Sequence, residues 1–263
     1  MKKIIFNIFL AVSLLGGSLN VVAETAEEKG LAIAVEIDKR DTGFKDSTVK
    51  LKMVLKNKQG RSSVRELRTK TLEVTGDGDK SLSIFDKPRD VKGTAFLTYT
   101  HTIRPDDQWL YLPALKRVKR ISSKNKSGPF MGSEFSYEDI SSQEVDKYTY
   151  KYIRDEDCNG VGCFVIERYP TYKNSGYTRQ VAWINKQEYR PEKIVFYDRK
   201  NALLKTLEYK DYKQYLNQYW RADIMQMINH QTGKSTDLSF QDYQFNTGLS
   251  EKNFSRNSLK RAR

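Results

Sequence analysis

Apolar and polar residues alternate along most of the chain after residue 45. In the clearest case Val49, Leu51, Met53 and Leu55 alternate with lysines, and this period of two is typical of a half-buried strand. Further segments of strand character follow, separated by Gly, Pro, Asp or Asn: residues 64–74, SLSIFD, GTAFLTYTHTI, QWLYL, KRVKRIS, DKYTYKYI, GCFVIERY, GYTRQVAWI, RPEKIVFYD, LLKTLEYKDY, YWRADIMQMIN and KSTDLSFQDY.

The succession of these segments predicts a mainly β fold. No long helix alternates with the strands, which argues against a parallel α/β sheet. The breaks between the segments are short and regularly spaced, as in antiparallel sheets. We therefore predict an antiparallel sheet curled into a barrel or an incomplete barrel, within one domain over residues 24–263.

Two segments depart from this alternation. Residues 24–40 carry apolar residues at helical spacing, with acidic residues early and basic residues late, and this predicts one amphipathic helix. Residues 122–145 form a long interruption that includes Phe130, Met131 and Phe135. Two interpretations of it stay open: a flap over a cavity, or an ordered loop whose aromatic residues plug the bottom of the barrel.

Residues 1–23 read as a signal peptide. Lys2 and Lys3 precede a short apolar stretch, and Ala23 provides a small residue at the predicted cleavage point. The alternative is a buried or membrane-anchoring N-terminal helix. No Cys lies near the cut to carry a lipid anchor, and no apolar run long enough for a membrane helix follows residue 22.

Export changes the meaning of the charge. The 263 residues include 46 Lys and Arg against 33 Asp and Glu, a formal net charge of +13. A basic exported protein meets anionic lipid headgroups and other anionic polymers rather than nucleic acid. The plain alternative is that the charge serves solubility alone. The basic run Lys116, Arg117, Lys119 and Arg120 has the same two interpretations: a charge-protected edge strand, or a contact for headgroups or a partner protein.

The two cysteines are predicted to form a disulfide. Cys158 and Cys163 flank an Asn-Gly turn, and an oxidising compartment favours their pairing. The spacing is longer than the C-x-x-C of redox centres, so a structural role is predicted.

The sequence offers little material for catalysis or metal binding. His101 and His230 lie on or beside predicted strands and are interpreted as hydrogen-bonded structural residues. The chain has no G-x-S-x-G motif, and with two Cys and two His it lacks the ligands of a multi-Cys zinc scaffold. We predict neither an enzyme, nor a metal site, nor a cofactor.

Four runs of the chain resemble one family. DQWLYLPALKRVKRI, FMGSEFSYED, EYRPEKIVFYDRKNALLKTL and NHQTGKSTDL, the last followed by the basic C-terminus, are similar to the outer membrane lipoprotein-sorting-protein-like family of Gram-negative bacteria. This family is related in fold to the periplasmic carrier LolA. The resemblance implies a LolA-like half-barrel with a few helices covering a cavity, a periplasmic location, and the acyl chain of a lipoprotein or another lipid as ligand. It also implies an inner-membrane transporter of the resistance-nodulation-division (RND) type as a partner.

The first hypothesis is therefore a carrier without covalent chemistry. The residues predicted to line its cavity or lid are Trp109, Tyr111, Leu112, Leu115, Phe130, Met131, Phe135, Trp183 and Trp220. For each aromatic residue among them, core filling is the alternative. The second hypothesis is a docking or assembly subunit of an envelope transporter that binds no lipid and uses the basic strand together with a frayed basic C-terminus. A periplasmic hydrolase is the third.

Overall fold

Thirteen strands form one antiparallel sheet in the computed structural model, which describes residues 23–261. Apart from Ala23, the predicted signal peptide lies outside the described residues. The strands are β1 Asp46–Lys56, β2 Ser62–Leu72, β3 Lys80–Lys87, β4 Ala95–Tyr99, β5 Asp107–Leu112, β6 Arg117–Ile121, β7 Tyr148–Asp157, β8 Gly162–Pro170, β9 Tyr177–Asn185, β10 Pro191–Asp198, β11 Leu203–Tyr215, β12 Tyr219–Asn229 and β13 Ser235–Phe245. The helices are α1 Ala26–Asp41 and α2 Arg256–Arg261.

The strand order leaves the sheet open at one place. It runs β6-β5-β4-β3-β2-β1-β13-β12-β11-β10-β9-β8-β7, so the first and last strands of the chain pair at the centre. The two edges, β6 and β7, are consecutive in sequence and do not pair with each other. Residues 122–147, which we call the crossing segment, connect them. The predicted mainly β fold, an incomplete antiparallel barrel with a few helices, is confirmed.

The pairing register places two apolar clusters on opposite faces. Leu51 of β1 lies opposite Leu67 of β2 and Phe240 of β13, and this face, which we call the inner face, carries the larger cluster. The outer face carries a smaller cluster around Leu82 and Leu97. Side chains alternate along a strand, and neighbouring residues of β3 to β5 contribute to both clusters, so both faces of these strands are apolar.

Helix α1 covers part of the inner face. Its start is fixed by a capping box, in which Thr25 and Glu28 exchange backbone and side-chain hydrogen bonds. Ile33 and Ala34 are buried in the inner cluster. A Cβ on Gly30 would lie 2.8 Å from the backbone nitrogens of β7, so glycine is needed for this close approach. The helix begins and ends within two residues of the predicted bounds.

The C-terminus packs on the outer face. Phe254 and Leu259 are fully buried against Leu82, Ile84 and Leu97. The prediction of a frayed tail is therefore wrong for the described residues up to Arg261, because Leu259 supplies an apolar anchor within the basic run.

Two further predictions concern cross-links and membrane spans. Cys158 and Cys163 form the predicted disulfide across the β7–β8 turn, with 6.0 Å between their Cα atoms. Among residues 23–261, no helix is long and apolar enough to span a bilayer.

Candidate functional site

A cavity of about 980 Å³ lies between the inner face and α1. Strands β1 to β3 and β11 to β13 form its wall, the C-terminal half of α1 covers it, and the crossing segment closes its base. Polar residues such as Thr69, Ser81 and Ser83 also line it. The apolar and aromatic residues of the lining are Ile37, Phe44, Val49, Leu51, Met53, Leu67, Phe130, Phe135, Ile140, Tyr189, Pro191, Tyr209, Tyr212, Trp220, Ala222, Met225, Leu238, Phe240 and Tyr243. This volume is at the upper end of the range for small-molecule pockets, and an apolar lining suits a hydrocarbon ligand.

The crossing segment forms the floor of this cavity. Phe130 and Phe135 are 1% and 3% exposed. The ring centroid of Phe130 lies 5.1 Å from that of Phe96 and 6.0 Å from that of Phe85. These rings are packed as in a core, which agrees with the interpretation of this segment as a plug rather than as a free flap.

A buried ion pair fastens the floor to the sheet. Lys205 of β11 donates to a carboxylate oxygen of Asp139 at 2.6 Å and to the backbone carbonyl of Glu134 at 2.9 Å. Both side chains of the pair are at most 6% exposed. The Tyr177 hydroxyl also donates to Asp139, at 2.8 Å, and burial raises the pKa of this tyrosine well above its usual range. Removing one partner would leave an uncompensated buried charge, so the floor is held firmly.

The edge of α1 is held by two arginines. Arg40 donates to the carbonyl of Gln187 at 2.6 Å and packs over the ring of Tyr189. Arg221 of β12 pairs with Asp41 at the end of the helix. The Arg40 contact lies at the surface and the pair of Arg221 and Asp41 is partly exposed, in contrast to the buried contacts of the floor, so solvent weakens both more.

The cavity wall contains one carboxyl group with a strongly shifted pKa. Burial raises the pKa of Asp79 to about 7; the backbone N–H of Val74 acts against this, and the nearby carboxylates of Glu144 and Glu73 add to it. Burial also raises the pKa of Tyr209 to about 12, so that its phenol stays neutral. Near neutral pH the Asp79 carboxyl is therefore partly protonated.

Three of the nine residues predicted for the cavity or lid line the cavity. They are Phe130, Phe135 and Trp220. Leu112 and Met131 are half-buried and pack against the inner cluster. Leu115 is 61% exposed in the turn between β5 and β6.

The structure places the other predicted aromatic residues on the outer face. Trp109 and Tyr111 belong to the cluster under α2, with the Trp109 ring centroid 5.1 Å from that of Tyr99. Their neighbours Leu110 and Leu112 point to the inner cluster instead, because alternate side chains of a strand face opposite ways. Trp183 donates its indole N–H to Glu156 at 2.9 Å and lies outside the cavity lining. For Trp109, Tyr111 and Trp183 the assignment to the cavity is therefore corrected.

The predicted contact residues remain together at the sheet edge. Lys116, Arg117 and Lys119 are exposed on the turn before β6 and on this edge strand. Arg120 is also exposed and forms an ion pair with Asp107. That these residues contact headgroups or a partner protein stays a prediction.

Apart from Trp220, sequence reasoning missed the lining residues of β11 to β13 and of the β9–β10 turn. Tyr209, Tyr212, Phe240 and Tyr243 line the cavity, and Arg190 lies at its rim. The available signal was the set of aromatic residues on three successive strands. Only the pairing register assigns them to one face.

Both histidines have structural contacts. The Nδ1 atom of His101 lies 2.6 Å from a carboxylate oxygen of Asp77, and Nε2 of His230 lies 2.8 Å from the Thr206 hydroxyl. Over residues 23–261, no group of three or more His, Cys, Asp or Glu side chains is arranged to hold a metal ion.

Known proteins share both this sequence and this architecture. A family model described only as an uncharacterized protein matches residues 77–261. A crystal structure of a domain from Vibrio parahaemolyticus, named for outer membrane lipoprotein sorting, is 63% identical with a TM-score of 0.88, and the match covers 89% of this chain and 99% of that one. The chain belongs to the outer membrane lipoprotein-sorting-protein-like family. No curated protein matches the chain.

Two less similar solved structures have the same fold. A DUF1329 family protein from Desulfovibrio piger is 31% identical, with a TM-score of 0.85 over 89% of this chain and 99% of that one. A LolA superfamily protein from Nitrosomonas europaea is 20% identical, with a TM-score of 0.71 over 90% and 100% of the two chains. The last match shows the LolA-like fold alone. None of these relatives indicates a catalytic family.

Proposed function

We propose that this protein is a periplasmic carrier that holds the acyl chain of a lipoprotein or of another lipid in the inner-face cavity. The observation that carries the proposal is an apolar cavity of about 980 Å³ between a 16-residue helix and the sheet. Each methylene group moved from water into such a site is stabilised by about 0.8 kcal/mol. The transfer free energy summed over an acyl chain of ordinary length is therefore large enough to keep the chain inside the protein while the complex crosses an aqueous compartment.

The crossing segment and α1 are held to the sheet by contacts of different burial, and this difference supports a loading route. The floor is held by the buried pair of Lys205 and Asp139, whereas the edge of α1 is held by the exposed contact of Arg40 and the partly exposed pair of Arg221 and Asp41. In this proposal the C-terminal half of α1 moves to admit the chain while the crossing segment stays in place. Gly30 keeps the N-terminal half of α1 packed on β7 during this movement.

The location and the partners belong to the same proposal. Export by residues 1–23 brings the carrier to the periplasm. An inner-membrane transporter of the RND type is the proposed donor, and the exposed Lys116, Arg117 and Lys119 are the proposed contact. A second candidate function, a docking or assembly subunit without a lipid, is favoured by these exposed cations alone. It predicts no ligand in the cavity.

Tryptophan quenching by a brominated acyl chain tests the carrier proposal. Trp220 lines the cavity, whereas Trp109 and Trp183 lie outside it. A variant with Trp109→Phe and Trp183→Phe retains Trp220 as its sole tryptophan, and a variant with Trp183→Phe and Trp220→Phe retains Trp109. Bromine quenches an indole on contact, so dibrominated stearate should quench Trp220 strongly and Trp109 little.

Unbrominated stearate is the control for changes in conformation. Equal quenching of Trp109 and Trp220 would indicate adsorption to the surface. Absence of quenching at Trp220 would contradict the carrier proposal and favour the docking subunit.

A further inference from the structure

Three arginines line the cavity, and two of them already have hydrogen-bonded partners. Arg40 donates from Nε to Glu36 at 2.7 Å and from Nη1 to the carbonyl of Gln187 at 2.6 Å. Arg221 donates to the carbonyl of Trp220 at 2.9 Å and pairs with the Asp41 carboxylate. Arg190 differs from both.

The guanidinium of Arg190 has two longer ion pairs, with Glu188 and Glu192, in place of such hydrogen bonds. Its Nε atom is buried and makes no hydrogen bond with any residue between 23 and 261. The nearest carboxylate oxygens belong to Glu192, at 3.6 Å from Nη2, and to Glu188, at 4.0 Å from Nε. Both distances exceed those of ordinary hydrogen bonds. A buried donor without an acceptor is rare in native proteins and calls for an explanation.

Aromatic rings and a tight turn hold Arg190 in position. Its guanidinium carbon lies 3.9 Å from the ring centroid of Tyr212 and 5.1 Å from that of Trp220. The carbonyl of Arg190 accepts a hydrogen bond from the Asn185 backbone N–H at 2.9 Å. The Asn185 side chain in turn accepts from the backbone N–H groups of Gln187 and Glu188. The cation is therefore positioned before any ligand binds, which reduces the entropy lost on binding.

We infer that the cavity accepts an anionic amphiphile whose phosphate or carboxylate group binds Arg190 between Tyr212 and Trp220 while its acyl chain fills the apolar space. This inference rests on the proposed carrier function and names its substrate class. A planar guanidinium presents paired N–H donors that fit such an anion. Aromatic walls lower the local dielectric constant and strengthen the interaction. The same Trp220 ring contacts both the cation and the cavity, so head group and chain are bound side by side.

Calorimetric titration of the full mature chain with three probes tests the inference. The probes are decyl phosphate, decanol and inorganic phosphate, each below its aggregation or solubility limit. Decyl phosphate and decanol share the chain, while decyl phosphate and inorganic phosphate share the anion. We expect decyl phosphate to bind about tenfold tighter than decanol or more, and inorganic phosphate to bind too weakly to measure.

Arg190 variants locate the effect. Arg190→Gln should reduce the affinity for decyl phosphate about tenfold and leave the affinity for decanol unchanged, and Arg190→Lys should retain part of the preference. Arg179→Gln is the matched control, because Arg179 also packs over a tyrosine, Tyr197, but pairs with Glu167 and does not line the cavity.

Each other outcome has a definite meaning. Equal affinities of the wild-type protein for decyl phosphate and decanol would overturn the inference and leave the carrier proposal standing. Absence of binding by both would overturn the carrier proposal as well. If inorganic phosphate binds as tightly as decyl phosphate, the ligand is a free anion and the proposal of an amphiphile is overturned. The two wild-type comparisons decide the matter even if Arg190→Gln fails to fold.

Discussion

The two helices of this protein pack on opposite faces of one sheet with opposite results. The six-residue α2 lies against β4 and β5 on the outer face, and Phe254 and Leu259 are fully buried there. The 16-residue α1 covers the inner face, yet a cavity of about 980 Å³ remains beneath its C-terminal half. Both helices meet an apolar surface, so hydrophobicity alone does not decide whether a contact is filled.

The difference lies in what sets the distance between helix and sheet. On the outer face, Leu259 of α2 and Phe254 just before the helix fill the contact directly. On the inner face, Gly30 and Ala34 bring the first part of α1 close to β7, while arginine contacts hold its end at the rim. A helix fixed closely at one end and by exposed polar contacts at the other can leave space between. The four predictions that follow test this contrast.

The largest effect is expected on the outer face. Leu259→Ala removes a fully buried side chain from a filled contact, and we expect it to lower the free energy of unfolding by about 2–4 kcal/mol, measured by urea denaturation. Quenching of Trp220 by dibrominated stearate should be unchanged under native conditions. Leu31→Ala, at an exposed position of α1, is the control and should change stability by less than about 0.5 kcal/mol. Equal losses in the two variants would contradict the assignment of a filled outer contact.

The next effect concerns the close end of α1. Gly30→Leu forces a side chain into the backbone of β7, and we expect a loss of about 1–3 kcal/mol in the free energy of unfolding together with weaker binding of stearate. Ala32→Leu adds the same bulk at an exposed position of the same helix. If both variants bind stearate as the wild type does, packing of α1 on β7 does not control the cavity.

A smaller effect depends on pH. The pKa of Asp79 is raised by burial from 3.8 to about 7, so its contribution to stability is fully present below pH about 4 and is lost as the pH rises through about 7. Asp79→Asn should therefore stabilise the protein relative to the wild type at pH 8 by an amount on the order of 1–3 kcal/mol, and much less at pH 4. Urea denaturation at both pH values measures this. Asp90→Asn, at an exposed position, is the control for removal of a carboxylate, and a pH-independent difference for Asp79→Asn would refute the assignment.

The smallest effect on stability is expected at the basic edge. Charge reversal of Lys116, Arg117 and Lys119 to Glu should change the free energy of unfolding by less than about 0.5 kcal/mol, because all three are exposed. The same variant should lose binding to envelope membranes in a sedimentation assay if this edge docks there. Reversal of the exposed Lys58, Lys92 and Lys173 controls for net charge. Equal retention of both variants on membranes would remove the proposed contact.

The sequence was sufficient for the strands, the helix α1 and the disulfide, but not for the face on which each aromatic residue lies. The period of two predicts that Trp109 and Leu110 point opposite ways, and it does not tell which of the two faces the cavity. On β5 both faces are apolar, because α2 covers the outer one. That cover was itself hidden in a basic C-terminal run where Leu259 is the sole strongly apolar residue of the last helix.

The contacts of Arg190 could not be predicted from the sequence either. The sequence shows an arginine before a proline, between glutamates in EYRPE, which looks like an ordinary charged turn. Its contact with Tyr212 and Trp220 depends on the pairing of β9 with β10, of β10 with β11 and of β11 with β12. Contacts between residues so far apart in sequence follow from register, which the pattern of one chain leaves open.

Native mass spectrometry of the mature protein, purified from the periplasm without detergent and followed by lipid extraction of the same sample, tests the central claim most directly. The account predicts a discrete added mass that resolves into an acylated molecule, and a smaller lipid-bound fraction in a variant whose cavity is narrowed by Ala222→Trp. A bare polypeptide mass for the wild-type protein, with no lipid in the extract and no stearate bound on addition, would contradict the carrier.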